Sequence, residues 1–216
     1  MAQLFAAQPA NDLPQMPDYN VCPTNAVHAV QAGDSGRQLV SMRWGFLPDW
    51  YKSESAGPLL INARAETLAQ KPAFAAACRE RRCLIPATGF YEWTKAGDGG
   101  RLPWYIHRSN AAPLAFAAVW QSWGADDPIK TCAIVTTAAN ETLLSLHHRM
   151  PLVLEPQDWG RWLGENGHGA ARLMQPGAAG ILDFHRVDPA VNSNWASGPE
   201  LIELFENGDI PRGRLI

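Results

Sequence analysis

Apolar positions run without a break from Leu84 to Ala87, pause at Thr88-Gly89, and resume as the aromatic stretch Phe90-Tyr91-Glu92-Trp93. This pattern predicts a buried run that feeds a short strand. Strand side chains alternate between faces, so Phe90 and Glu92 share one face and Tyr91 and Trp93 the other. Elsewhere the pattern predicts strands at Val27–Gln31 and Gln38–Trp44, with a turn at 32–37. Further strands are predicted at Leu59–Arg64, Trp104–Arg108, Leu114–Trp123, Lys130–Thr137 and Phe184–Val187, and Leu152-Val153-Leu154 is another short apolar run. Helical spacing appears at 2–7, at Glu66–Arg82 with an interruption near Pro72, at Asn140–His147, at Pro156–Leu163 with Trp159 and Trp162 on one face, and briefly at Ala170–Met174. Residues 8–18 are rich in Pro and Asp and read as loop, as does the broken aromatic stretch Trp44–Tyr51; 95–101 reads as a Gly-rich hairpin turn. Many short strands with a few short helices predict an α+β fold, a β-rich single domain over 1–216 with curved, mostly antiparallel sheets.

Composition narrows the picture. The chain has 216 residues, without linker, repeat or low-complexity run, which suits one domain. No apolar run is long enough to span a bilayer, and the N-terminus lacks the basic and apolar regions of a signal peptide, so a cytoplasmic protein without a membrane partner is expected. Cys22, Cys78, Cys83 and Cys132 form no CxxC pair and read as free thiols. Nine Trp is a high count, and some of them should be contact surface rather than core. Net charge is −3, yet residues 1–108 carry +2 and 109–216 carry −5. A basic face on the first half is compatible with local nucleic-acid binding.

Three polar residues sit inside apolar or aromatic frames: Asn62 in Leu59–Arg64, Glu92 in Phe90–Trp93, and His147 in Leu144–Arg149. Burial among aromatics raises a carboxyl's pKa, which suits a proton-transfer residue near neutral pH. An amide, a carboxylate and an imidazole together can orient and protonate a reacting oxygen or amine. Each also has a plainer reading: a strand-end turn former, a half-exposed strand glutamate, a satisfied core histidine. His147-His148 lacks the spacing of a metal site, and no GxSxG, P-loop or GxGxxG motif is present.

Six blocks in fixed order carry a resemblance: Tyr19-Asn20-Val21-Cys22-Pro23-Thr24; Arg43-Trp44-Gly45-Phe46-Leu47-Pro48; Ile61-Asn62-Ala63-Arg64-Ala65-Glu66-Thr67; Cys83–Trp93; Leu146-His147-His148-Arg149-Met150-Pro151; and Gly198-Pro199-Glu200-Leu201-Ile202. In these the chain is similar, over nearly its whole length, to the SOS response-associated peptidase family, whose members shield abasic sites in DNA by covalent attachment. The resemblance implies a β-rich domain with a basic groove for single-stranded DNA, acting as a monomer without cofactor or metal. It maps the family's active-site Asn, Glu and His onto Asn62, Glu92 and His147. It maps DNA contacts onto Arg64 and Arg149, onto Trp50 and Tyr51 with Trp93 beside them, and onto Asn20, Pro23, Trp44 and Arg82. Stacking on aromatics with phosphates on Arg is what sequence-tolerant single-strand binding requires.

One departure matters. Family members begin Met-Cys-Gly-Arg, and the exposed Cys supplies an α-amine and a thiol that capture the ring-opened sugar as a thiazolidine. This chain begins Met1-Ala2-Gln3-Leu4. The expectation is that Met1 is an internal Met, with the family's first strand and its Cys ahead of it. The resemblance further implies self-processing peptidase activity and weak β-elimination at the abasic site. Two other functions stay open: a single-stranded DNA binder without chemistry, and a hydrolase using Glu92 and His147 on a small substrate.

Overall fold

The computed structural model describes residues 1–97 and 99–205. In chain order its elements are α1 (Ala2–Phe5), β1 (Ala7–Pro9), β2 (Ala26–Gly33), β3 (Gly36–Trp44), β4 (Asn62–Arg64), α2 (Pro72–Glu80), β5 (Arg82–Ala87), β6 (Gly89–Lys95), β7 (Arg101–Arg108), β8 (Leu114–Trp123), β9 (Ile129–Ala138), β10 (Arg149–Pro151), α3 (Pro156–Leu163) and β11 (Leu182–Arg186). Short 3-10 turns occupy Ala65–Thr67, Ala170–Leu173, Pro189–Asn192 and Pro199–Ile202. The β-rich, largely antiparallel α+β architecture is the expected one.

Among the described residues eight strands form one sheet in the order β1-β3-β2-β5-β8-β9-β10, with β4 paired to β9. A parallel pairing of β3 with β9 (Arg43 with Thr131, Trp44 with Cys132) closes β3-β2-β5-β8-β9 into a barrel. Closure explains why β8 reads Leu-Ala-Phe-Ala-Ala-Val: it is buried on both faces. Ala115, Ala117 and Val119 face outward into a core with Phe46, Leu68, Phe74, Trp159 and Trp162. Leu114, Phe116 and Ala118 face the barrel interior with Val40, Met42, Cys83, Ile85 and Cys132. On α3, Trp159 stacks on Phe5 at 4.2 Å and the Trp162 indole donates to the Cys83 carbonyl at 2.9 Å.

The second sheet, in the order β11-β7-β6, is antiparallel. Only Thr88 separates β5 in the barrel from β6 in this sheet, so the Leu84–Trp93 stretch crosses from one to the other. Phe90 packs edge-on against Phe116 of the barrel at 5.7 Å. Tyr91 faces the opposite way, into a small core of Tyr105, Val187, Val191 and Leu201. A half-buried ion pair, Arg108 to Glu155 at 2.9 Å, ties β7 to the start of α3.

Several local expectations are corrected. Ala7–Pro9 is a strand, rather than the end of the helical run at 2–7 followed by loop, because it completes the edge of β3 in parallel register. The strand expected at Leu59–Arg64 shortens to Asn62–Arg64. Pro72 opens α2 instead of interrupting a longer helix, since Pro at a first helical position loses no hydrogen bond. Arg82 lies in β5, beyond that helix. Asn140–His147 is a series of turns closed by bonds such as Leu143 N–H to Asn140 O and His147 N–H to Leu143 O, and not a helix. The short helix expected at Ala170–Met174 is a 3-10 turn, and the late strand is Leu182–Arg186. The acidic, Gly- and Pro-containing tail lies largely outside the described residues.

Candidate active site and nucleic-acid surface

The site forms where the barrel interior opens. On β9 the interior-facing residues are Cys132 and Ile134, and two positions further comes Thr136, at the barrel's mouth. Strand β4 runs parallel to this end, with Asn62 opposite Ile134 and Arg64 opposite Thr136. Strand β10 flanks the other edge, with Arg149 opposite Ala138. Partners across a sheet point to the same side, so Asn62, Arg64, Thr136 and Arg149 share one face, while Ala63 is buried behind.

Arg149 is held from four directions. It makes a bidentate pair with Glu66 (2.7 and 3.0 Å) and donates to the Thr136 carbonyl and hydroxyl (2.6 and 3.2 Å). The same pairing holds the Glu66 carboxyl below its ordinary pKa. Arg149 thus fixes the backbone that carries His147, two residues earlier. Glu66 and Thr136 do this holding, and no motif reading singled them out, because their role depends on a partner more than ten residues away in sequence.

Glu92 reaches the mouth from the second sheet. On its face it has Phe90 and Thr94, with Trp104 as cross-strand partner; the Trp104 indole donates to Thr94 Oγ1 at 2.9 Å. This apolar frame raises the Glu92 pKa by burial, against the lowering pull of His147, the Trp93 backbone N–H and Arg101. Glu92 Oε1 lies 3.6 Å from His147 Nδ1, an ion-pair distance rather than a hydrogen bond. Nδ1 is also 3.2 Å from the Arg149 N–H and 3.0 Å from the Arg149 carbonyl. Without a proton, Nδ1 accepts from that N–H; with one, it donates to that carbonyl, and the nearby Glu92 carboxylate offsets the ring's charge. A proton can therefore arrive or leave without turning the ring. Glu92 keeps 26% and His147 37% of side-chain surface, so both remain reachable. The His148 ring lies tilted against His147 with centroids 4.4 Å apart.

The three residues expected to carry chemistry converge unequally. Glu92 and His147 meet. Asn62 lies on the exposed face of β4 with no side-chain hydrogen bond among the described residues. Arg64, two residues on, is likewise exposed and in no ion pair among the described residues.

The expected DNA contacts divide. Trp50 is 58% exposed and packs edge-on against Tyr51 at 6.4 Å. Their loop is anchored by the Trp123 indole to the Tyr51 carbonyl, the Tyr51 hydroxyl to the Pro58 carbonyl, and Arg43 to Glu54. Trp44 is half-buried at the barrel interior and donates to the Ile61 carbonyl at 3.0 Å. Arg82 spends its guanidinium on the carbonyls of Trp162, Cys78 and Arg79, at the ends of α3 and α2. Trp93 is not beside Trp50 and Tyr51. It occupies the face of β6 opposite Glu92, where Arg101 stacks on it at 5.0 Å and its indole donates to Asn192 Oδ1 at 2.6 Å.

Asn20 joins the same neighbourhood: its amide donates to the carbonyls of Ser193 and Ala196. Pro23 is exposed in the turn just after it. Sequence reasoning passed over Trp195 in this segment, although an aromatic alone in the polar run Asn192–Trp195 is the available signal. It is 94% exposed.

Of the four cysteines, Cys78, Cys83 and Cys132 are buried, and no disulfide forms among the described residues. Burial, then the Asp18 charge, pushes the Cys22 thiol up, and its S–H donates to the Asn20 carbonyl at 3.4 Å. No described helix is long and apolar enough to cross a membrane.

The family model described as SOS response associated peptidase (SRAP) matches residues 1–194. A Bacillus subtilis (strain 168) protein named abasic site processing protein YoqW is 36% identical over 192 residues, covering 87% of this chain and 86% of that one. The Escherichia coli (strain K12) protein named abasic site processing protein YedK is 32% identical over 209 residues, covering 93% and 92%. Among solved structures, a Bordetella bronchiseptica protein superposes with TM-score 0.74 at 25% identity, covering 87% of this chain and 94% of that one. A Bacteroides thetaiotaomicron protein has TM-score 0.75 at 24% identity, over 85% and 82%, and shares the fold.

Proposed function

Because the chain belongs to the SOS response associated peptidase (SRAP) family, we propose that it is an abasic-site processing protein acting on single-stranded DNA, with Glu92 and His147 as its proton-transfer pair. The observation that supports this most is the Glu92–His147 approach of 3.6 Å at the barrel mouth, with the Glu92 pKa raised by burial. A carboxyl whose pKa is raised by burial keeps its proton more readily than an ordinary one and is better suited to act as an acid.

The chemistry follows from the substrate. A ring-opened abasic sugar exposes an aldehyde at C1′. An amine adds to that carbon and the carbonyl oxygen takes a proton, giving a carbinolamine. Glu92 then gives its proton to the departing hydroxyl, water leaves, and the iminium formed returns its nitrogen proton to the Glu92 carboxylate, leaving an imine. A thiol on the same residue as the amine closes a five-membered ring by adding to the imine carbon, with its proton passing to nitrogen. Only an N-terminal Cys carries both groups, and Cys22, Cys78, Cys83 and Cys132 are all internal to this sequence. His147 accepts and returns protons at Nδ1 during sugar ring opening. Asn62 offers an unspent amide to the nucleophile or to a sugar oxygen. Abstraction of a C2′ proton from the imine would cut the strand 3′ of the lesion, which is the weak lyase branch. Removal of an initiator residue by the same Glu92 is the peptidase branch. Exposed Arg64 takes phosphate, and Trp50 and Tyr51 take bases.

The test is a denaturing gel with single-stranded DNA carrying one abasic site, comparing this chain with one extended to begin Met-Cys-Gly-Arg. A heat-stable shifted band from the extended chain, lost in its Glu92→Gln variant, is the expected result. No band from the extended chain overturns the covalent assignment. A band that survives Glu92→Gln unchanged removes Glu92 from the reaction.

A further inference from the structure

The outer face of the β6–β7 hairpin carries features that the chemistry at Glu92 does not use. Trp93, Lys95 and Arg101 share this face, since Lys95 pairs with Arg101 across the two strands and side chains alternate along β6. Like charges directly opposite one another destabilise a hairpin. Among the described residues no carboxylate lies within ion-pair distance of either cation. Arg101 lies over the Trp93 ring, whose indole is bonded to Asn192. Three residues along, Trp195 stands 94% exposed. Its turn is nonetheless well held: Asn20 donates to the carbonyls of Ser193 and Ala196, and the Trp195 N–H donates to Ser193 Oγ. An exposed indole on a pinned turn, together with two cations that have no ion pair among the described residues, matches a nucleobase with its flanking phosphates.

We propose that this face is a second nucleic-acid contact: single-stranded DNA leaving the Glu92 site crosses the edge of β6, stacks a base on Trp195, and sets its phosphates on Lys95 and Arg101. This rests on the DNA-processing function above and adds where the strand goes next. The anionic strand brings phosphates to both cations. Base-independent stacking makes the contact sequence-tolerant.

The experiment is fluorescence anisotropy with labelled single-stranded DNA that contains no abasic site, so that no chemistry is needed. Strands of about 5 and about 15 nucleotides span the range of single-strand site sizes. Trp195→Ala and Arg101→Ala are each expected to weaken binding of the longer strand by about fivefold or more, to leave the shorter strand unchanged, and to leave the melting temperature unchanged. Trp195→Phe should restore most of the loss. Wild-type affinity retained by both Ala variants on the longer strand overturns this second contact while leaving the DNA-processing function standing. Failure of the wild-type chain to bind either strand at low salt overturns both.

Discussion

Glu92 and Trp93 are neighbours in sequence and face opposite sides of β6, and the two sides are built differently. On the Glu92 side an acid is set among Phe90, Thr94 and Trp104 and left without a hydrogen bond of normal length to its partner. The strand holds that carboxyl at a cost, visible as a raised pKa. On the Trp93 side the polar atom is satisfied, the ring is covered by Arg101, and the neighbouring turn is pinned by Asn20. One face keeps a partly desolvated acid poised; the other presents a finished surface. The difference is what a reaction needs as against what a ligand surface needs: reactivity comes from incomplete solvation, recognition from preorganisation.

The comparison can be broken most directly at Glu92. Glu92→Gln should slow adduct formation on abasic DNA by about a hundredfold in a chain with an N-terminal Cys, without changing affinity for intact single strands. Equal losses in both assays would mean the two faces are not separate in function. Next in size, Arg64→Ala should weaken binding about fivefold and lower the slope of log affinity against log salt by about one. A salt slope equal to wild type would place the groove elsewhere. Arg82→Ala sharpens the contrast between arginines. Three main-chain carbonyls lose a charged donor, so stability should fall by about 1–3 kcal/mol in chemical denaturation while DNA affinity stays put.

The smallest effect concerns stability at Glu92 itself. Its carboxyl holds a proton more tightly folded than unfolded, so the folded state gains from protonation at low pH. That gain is lost as pH rises through the folded pKa. Glu92→Gln should therefore melt slightly higher than wild type at pH 7, and the advantage should vanish below about pH 4, near the unfolded carboxyl value. A variant less stable than wild type at pH 7 would contradict the strain assigned to this face. Calorimetry at both pH values decides.

Sequence alone reached this far where a fixed period governs. Alternation along Phe90–Trp93 was enough to separate Glu92 from Trp93, and the apolar pattern of Leu114–Trp123 marked a strand. It stopped where partners decide. Ala7–Pro9 carries no strand pattern; β3 makes it a strand by offering a free edge. Arg64 and Arg82 are the same residue type in equally suggestive surroundings. Only the carbonyls at the ends of α2 and α3, out of reach of any local pattern, show that Arg82 is spent. Asn140–His147 has helically spaced leucines, yet the chain there turns to deliver His147 and enter β10. Trp195 showed only a weak local signal, because its context, Asn20 and Trp93, lies some hundred or more residues upstream.

Gly89 follows the single residue that joins the barrel to the second sheet, and a side chain there would run into the Tyr105 ring and the Ile106 carbonyl of β7. The hinge between the two sheets is thus locked by contact rather than left free. Glu92, three residues on, inherits that lock. His147 is borne by the barrel and Glu92 by the sheet, so the spacing between acid and base works like the gap of a caliper whose jaw is set by one hydrogen atom at position 89. Any larger group there would reset the gap, and with it the reactivity of a site it never touches.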